Sequence, residues 1–558
     1  MTRLQKATPW LIGLLIASLL MGALLLFADV QYTGNDDTPL LRATMGYWGE
    51  PSTFNLRMHA AFSWLLYGLA TLWPGVAWYS ILQLFLLWIS QAVIVKSLMQ
   101  SARQKGLSVW WGAVAGALFL AAFTVYISCR ITFTVTAALC GAAAVFQLAS
   151  ADFSRKRGPV LLGIAGSAAL LLSCYFLRMT AVLPAACFYV LLFVFKLVAS
   201  HSRRALTALF VLAALFAAAV GWQALDIRMQ GLADDIAWQQ ARTELYDYTG
   251  FPQTVSDDTL AELGWSSDEF TLAGNWFFLN DNITAEAFET LTAQQAEPDT
   301  AMSDRLAAAW DTLFAVVSEG KLRLALLCLL AVALAAALRG GRRTALYLLL
   351  ALLGGAALLF ALAYINRLPS RAVYSVLLPM GAAVYAALFN RKARHRALAI
   401  ASLAPLAACV MLTVFAVAAQ ASAAYIAPSA YFTDTTSDLH ADLDEIALMN
   451  DDMLIIYDLS LSFDHRLFPD TSEGIPQNLM LWGGWTAHTR GWRLILSSFG
   501  IHQLDPSLFL RDNVLYASTY DQPTTELMNY IAQGADGTVD WMYYDQWGYV
   551  NLFEFDVY

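Results

Sequence analysis

The chain has 558 residues, of which 58% are hydrophobic and only 14% charged, and its formal net charge is −10. Ordinary soluble domains carry about a quarter charged residues, so this composition excludes one and points to a polytopic α-helical membrane protein. The acidic balance argues against nucleic acid as a partner and against binding to anionic lipid headgroups.

In chain order, the first apolar run covers residues 9–28 behind the short basic segment 1–6. No small-residue cleavage site follows it, so it reads as an uncleaved signal anchor with its N-terminus in the cytoplasm. A first outer loop, 29–76, comes next. Within it, residues 57–73 are apolar enough to suggest a span. Counting them as one would invert every later basic cluster, so they read as a helix lying along the outer interface and ended by Trp73-Pro74-Gly75.

Apolar runs of about 20 residues then recur near 77–97, 108–127, 131–149, 159–176, 179–198, 205–225, 322–338, 344–364, 371–389 and 397–424. Two-helix hairpins of this kind separate the basic clusters Lys96/Arg103/Lys105, Arg155-Lys156-Arg157, Lys196/Arg203/Arg204, Arg339/Arg342/Arg343 and Arg391/Lys392/Arg394/Arg396. With the first helix the count is eleven, and each basic cluster marks a cytoplasmic loop. The acids follow the opposite rule. Residues 226–320 hold 18 acids against 3 Arg, residues 426–558 hold 20 against 4, and only Asp152 falls in a predicted cytoplasmic loop.

Four parts result: an N-terminal membrane module, 1–225; an outer, mainly helical loop domain, 226–320; a second membrane module, 321–424; and an outer α/β domain, 425–558. In the loop domain, residues 235–248, 257–263 and 285–296 have helical spacing. In the last part, 452–457 and 513–517 read as buried strands, 524–531 as a helix and 541–557 as an aromatic hairpin around Gly548. All six cysteines (Cys129, Cys140, Cys174, Cys187, Cys328 and Cys409) lie in or beside apolar spans, so the outer segments fold without disulfides. That fits a bacterial inner (plasma) membrane protein.

The hairpins carry the main functional signal. Residues 107–151 contain one charge, Arg130; residues 158–195 contain one, Arg178; residues 344–389 contain only Arg367 and Arg371. All four fall at outer hairpin tips, on the face the topology otherwise keeps poor in cations. Each could snorkel to a lipid phosphate. Three hairpins sharing the pattern point instead to one phosphate-binding pocket, because guanidinium pairs with phosphate through two parallel N–H donors.

On the same face, Gly34-Asn35-Asp36-Asp37-Thr38 presents two adjacent carboxylates. They are candidates for a general base, or for a divalent cation such as Mg or Mn, against the alternative of a plain turn. Arg242 and Tyr246, four apart on one helix face, and the neighbouring Asp247 suggest a clasp to the membrane module or a substrate contact. Arg57 and His59 of the first loop are further possible contacts. His59, His440 and His488 show no metal-ligand spacing. Trp and Tyr residues of the last domain suit either sugar stacking or a core.

The order of first helix, loop with Asp36-Asp37-Thr38 and amphipathic helix closing on Pro74-Gly75 and Trp78 resembles the GT-C superfamily of membrane glycosyltransferases. That superfamily includes the protein O-mannosyltransferases and the aminoarabinose transferases. The likeness covers topology over most of the chain, and is greatest to bacterial members with an Asp-Asp-Thr loop.

It implies a polyprenyl-phosphate-linked sugar donor, a glycan, lipid or protein acceptor, and a catalytic acid at Asp36 or Asp37, with Asp37 slightly preferred. The chain departs from the pattern in lacking a second acidic motif in a later short loop, which puts metal binding in doubt. Two other classes remain: a polysaccharide polymerase or ligase, in which Arg242 and Asp247 would be central, and a lipid or solute transporter.

Overall fold

The computed structural model describes residues 3–33, 36–153, 157–200, 203–295, 302–389, 396–426, 435–461 and 464–558. Gly34 and Asn35 of the acidic loop, and Arg155, Lys156, Arg391, Lys392 and Arg394 of the basic clusters, lie outside these residues.

Helix α1 (Arg3–Phe27) leads to a short strand β1 (Gln31–Tyr32), then α2 (Asp37–Met45) and α3 (Ala60–Leu72). The membrane module continues with α4 (Trp78–Gln104), α5 (Val109–Phe123), α6 (Val125–Cys129), β2 (Arg130–Ile131), α7 (Phe133–Ser150), α8 (Arg157–Leu177), α9 (Val182–Ser200) and α10 (Arg203–Gln230). Helices α11 (Ala233–Thr243), α12 (Asp257–Leu263), α13 (Ser267–Gly274) and α14 (Ala285–Gln294) form the loop domain, and α15 (Met302–Ser318) packs on the bundle through Ala309, Leu313 and Val316. Helices α16 (Gly320–Gly340), α17 (Arg342–Tyr364), α18 (Ser370–Ala387), α19 (Arg396–Ala401) and α20 (Leu403–Ile426) return to the bundle.

Among the described residues, eight helices are long and apolar enough to cross a membrane, and Ala60–Leu72, Val109–Phe123 and Leu161–Leu177 are shorter apolar helices. The helix at 60–72 has 13 residues. At 1.5 Å per residue it falls well short of a hydrocarbon core of about 30 Å.

The bundle is built around α7, whose side chains are almost all buried. Its run of Ala and Gly lets neighbours approach: a Cβ on Gly141 would lie 2.6 Å from Ala185 Cβ on α9. Helices α4 and α5 use the same device. Gly112 and Gly116, four apart, set the α5 backbone against Leu98, Met99 and Val95 of α4. At the C-terminal end of α7, the Lys196 ammonium donates to the carbonyls of Leu148, Ala149 and Ala151 at 3.0, 2.5 and 2.7 Å, satisfying groups the helix leaves open.

The polar segments gather at the other end of α7. The C-terminal domain comprises α21 (Thr435–Met449), α22 (Arg490–Ser498), α23 (Thr525–Ala532) and a five-stranded sheet in the order β4-β3-β5-β7-β6. Its strands are β3 (Leu454–Tyr457), β4 (Leu479–Leu481), β5 (Val514–Ser518), β6 (Val539–Trp547) and β7 (Val550–Val557). Strand β3 is parallel to β4 and β5, while β7 is antiparallel to β5 and β6.

The loop domain and the sheet share one core, in which Trp238, Phe277, Phe278 and Phe288 meet Ile456, Trp482, Tyr516 and Phe553. Their closest approach is at Gly483, where a Cβ would sit 1.6 Å from the Trp276 carbonyl oxygen. Glycine is required there.

Candidate active site

Where the first loop, the hairpin tips and the two polar domains meet, they enclose a cavity of about 630 Å³. Its size is that of a small-molecule site. Five guanidinium groups (Arg57, Arg178, Arg242, Arg367 and Arg371) and two carboxylates, Asp36 and Asp247, line it.

Local structure places each of them. Arg178 occupies the break between α8 and a single 3₁₀ turn, with extended backbone. Its guanidinium lies over the Phe133 ring, 4.9 Å from the centroid, and Nε donates to Thr180 Oγ1 at 3.1 Å. Asn366, in the left-handed region with φ 53°, ends α17, and the Arg367 amide donates back to Leu362 O at 2.8 Å. Arg367 then reaches Asp247 at 2.9 Å and lies over Tyr248 at 4.6 Å. Arg371, in the first turn of α18, stands 3.8 Å from Asp36.

Asp247 belongs to a π-helical turn, Glu244–Thr249, which continues α11 where uninterrupted α-helix is the reading from sequence. Such turns often mark functional sites. Arg242, 1% exposed, lies over Trp276 and uses Nε on Gln239 and one terminal nitrogen on Thr243.

The positive charges crowd one another. Burial, with Arg57 beside it, pulls the Arg178 guanidinium down to about 10. The same two causes bring Arg242 to about 10. Five cations against two anions leave the cavity strongly electropositive inside an acidic protein.

Asp36 and Asp37 part company. Asp36 lines the cavity, but Asp37 does not. Asp37 is wholly buried, and its Oδ1 accepts from Tyr79 Oη at 2.8 Å, Gln83 Nε2 at 3.2 Å and the Phe133 amide at 2.9 Å. A carboxylate at the start of α7 is well placed for the helix dipole, and it pins the loop to the bundle's central helix.

Of the two carboxylates read as candidate catalytic acids, with Asp37 slightly preferred, it is Asp36 that faces the cavity. The two carboxylates do not converge on one point. Among the described residues no group of three or more His, Cys, Asp or Glu side chains could hold a metal ion. Of the pair considered for Mg or Mn, only Asp36 faces the cavity.

Three other candidates also lie off the cavity. Arg130 pairs with the Asp29 carboxylate at 3.4 Å and donates to the Asp29 carbonyl, because α6 ends at Cys129 and turns it toward the end of α1. His59 caps α3, accepting from the Ala61 amide, and its other nitrogen meets Ala219 O at 2.8 Å. Tyr246 donates to Ala273 O at 2.6 Å inside the loop domain.

The sequence did not point to Trp276, Leu481, Gly484, Trp485 and Thr486, which roof the cavity. Aromatic residues beside Gly read as core or turn, and no local pattern carries a contact across some two hundred positions. The remaining wall is apolar, from Leu183 and Pro184 of α9 and Leu358, Ala361, Leu362 and Ile365 of α17 and its end. Leu183 and Ile365 are 65% and 48% exposed, so this wall opens onto the bundle's outer surface.

No protein-family model matches the chain, and no curated protein matches it significantly.

Proposed function

We propose that the chain is a membrane glycosyltransferase that moves a sugar from a polyprenyl-phosphate donor to an acceptor hydroxyl. The observation that carries this reading is the meeting of Asp36, an arginine cluster and a laterally open apolar wall in one cavity. The donor's phosphate suits the guanidiniums, its lipid tail suits the Leu183–Ile365 opening, and its sugar fits the space beneath Trp276 and Trp485.

The acceptor oxygen attacks C1 as the C1–O bond to phosphate breaks. The acceptor proton passes to Asp36, and the lipid phosphate leaves with the bonding electrons. A phosphate needs no general acid, unlike the leaving group in two-carboxylate hydrolysis. It needs its developing charge stabilised, which Arg178, Arg367 and Arg371 supply. A single displacement inverts the configuration at C1.

One observation favours a second reading. Arg242 and Asp247 both line the cavity, as a polymerase or ligase that transfers whole lipid-linked glycans would require. The bond chemistry is the same, and the donor's size separates the two.

The test is transfer of labelled sugar from short-chain prenyl-phosphate donors by purified protein in bilayers. Asp36→Asn is expected to lose at least about 100-fold in rate, and Arg178→Gln a comparable factor. Transfer by Asp36→Asn at the wild-type rate would overturn the reading.

A further inference from the structure

We infer that the cavity holds two anionic groups at once, the second in a subsite built by Arg57, Arg242 and Trp276. The inference rests on the glycosyltransferase reading and deepens it. The arginines of the membrane hairpins are largely balanced: Arg367 is paired with Asp247 at 2.9 Å and Arg371 faces Asp36 at 3.8 Å, so with Arg178 the three carry about one net positive charge, enough for a phosphodiester, which carries one negative charge. Arg57 and Arg242 come instead from the first loop and from α11. Neither forms an ion pair among the described residues, yet both line the same cavity.

Arg242 is 1% exposed, and the Arg57 Nε is buried with no hydrogen-bond partner. Arg242 has only the neutral acceptors Gln239 and Thr243, and a buried guanidinium without a counter-anion is costly. The site therefore lacks an anion that its ligand brings.

Trp276 supports this. It is held in the left-handed region, φ 63°, where a bulky side chain is strained. Its carbonyl packs on Gly483, and its ring faces the Arg242 guanidinium at 5.2 Å. The strained conformation keeps the guanidinium at the cavity wall.

The shared chemistry is a second phosphate-like anion. It comes either from the distal phosphate of a diphosphate-linked donor or from a charged acceptor. The protein in zwitterionic nanodiscs would be titrated with a short prenyl monophosphate, with the matching diphosphate, and with inorganic phosphate after monophosphate saturation.

For a diphosphate donor, wild type binds the diphosphate about tenfold tighter, or about 1.4 kcal/mol. Arg57→Gln and Arg242→Gln then abolish that preference while monophosphate binding changes by about twofold at most. Arg178→Gln weakens both ligands. Arg242→Lys keeps the charge and most of the preference, which separates loss of charge from loss of fold. For a charged acceptor, the two prenyl ligands bind alike and inorganic phosphate binds beside the monophosphate, lost in Arg57→Gln and Arg242→Gln.

Equal binding of the two prenyl ligands with no additional phosphate overturns the inference. So does equal weakening of monophosphate and diphosphate by Arg57→Gln and Arg242→Gln. If neither prenyl ligand binds but inorganic diphosphate does, dependent on Arg57 and Arg242, the lipid-donor reading falls and the second subsite stands.

Discussion

At the residue scale, Asp37 shows how burial changes a carboxylate's task. Three donors converge on Oδ1, while Oδ2 is buried with no partner. Burial pushes its carboxyl up from 3.8 to about 7. The folded state therefore holds a proton between those values that the unfolded chain has released. Stability must then fall as pH rises from about 4 to 7 and level off above, at about 1.4 kcal/mol per unit of separation. Asp37→Asn keeps an oxygen for the three donors and does not titrate. Its melting temperature in detergent is expected to lose this part of the decline and to exceed wild type at pH 8, with sugar transfer kept within about tenfold. Identical pH slopes for the two proteins would show that Asp37 does not carry the proton. The adjacent Asp36 and Asp37 could not be told apart in sequence. Their roles differ because the α2 start turns one toward the cavity and the other toward α7.

At the scale of elements, α2 is clamped to the C-terminal domain. Arg42 donates to Asp444 at 3.2 Å and His440 Nδ1 at 3.1 Å, and lies 3.7 Å from Asp464. Arg466 reaches Asp444 at 2.8 Å and Asp464 at 3.0 Å, and Thr38 donates to the Asp464 carbonyl. Thus the helix that presents Asp36 is positioned by residues some four hundred positions away. Nothing in the Asp-Asp-Thr run signals this, whereas the hairpin tips of Arg178, Arg367 and Arg371 were legible because a cation at the end of an apolar run is locally anomalous. Arg130 carries the same anomaly but pairs with Asp29 away from the cavity. Replacing Arg42 by Ala leaves buried carboxylates short of a partner and is expected to cost about 3–5 kcal/mol. Hydrogen exchange should rise in 37–45 and 454–461 before it rises in α7; uniform exchange across the chain would argue against a local clamp. Acid should loosen the same contact. Burial would raise the Asp464 carboxyl, but His440, Arg466 and Arg42 overcome it and hold it well below the usual carboxylate range. Its stabilisation is present above about pH 4 and is lost as pH falls further.

At the scale of the whole molecule, the apolar runs were legible as helices because length and hydropathy alone define them, but the shared core of the loop domain and sheet was not. That core joins residues 238–291 to 454–555 through tertiary packing that no periodicity encodes. The consequence concerns where the cavity faces. Because the sheet, the loop domain and the first loop all lie at the start of α7, one orientation decides for all of them. We propose that the opposite end, which carries basic residues including Lys105 and Lys196, is the cytoplasmic one, on the positive-inside rule. A membrane-impermeant maleimide should then label Glu286→Cys in intact cells, and Lys105→Cys only after permeabilisation, both in a background lacking the native cysteines. The reverse pattern would turn the arginine cavity toward the cytoplasm, where soluble nucleotide-linked sugars are available. The lipid-linked donor would then lose its rationale, since the apolar opening between α9 and α17 matters only if the donor arrives from within the bilayer.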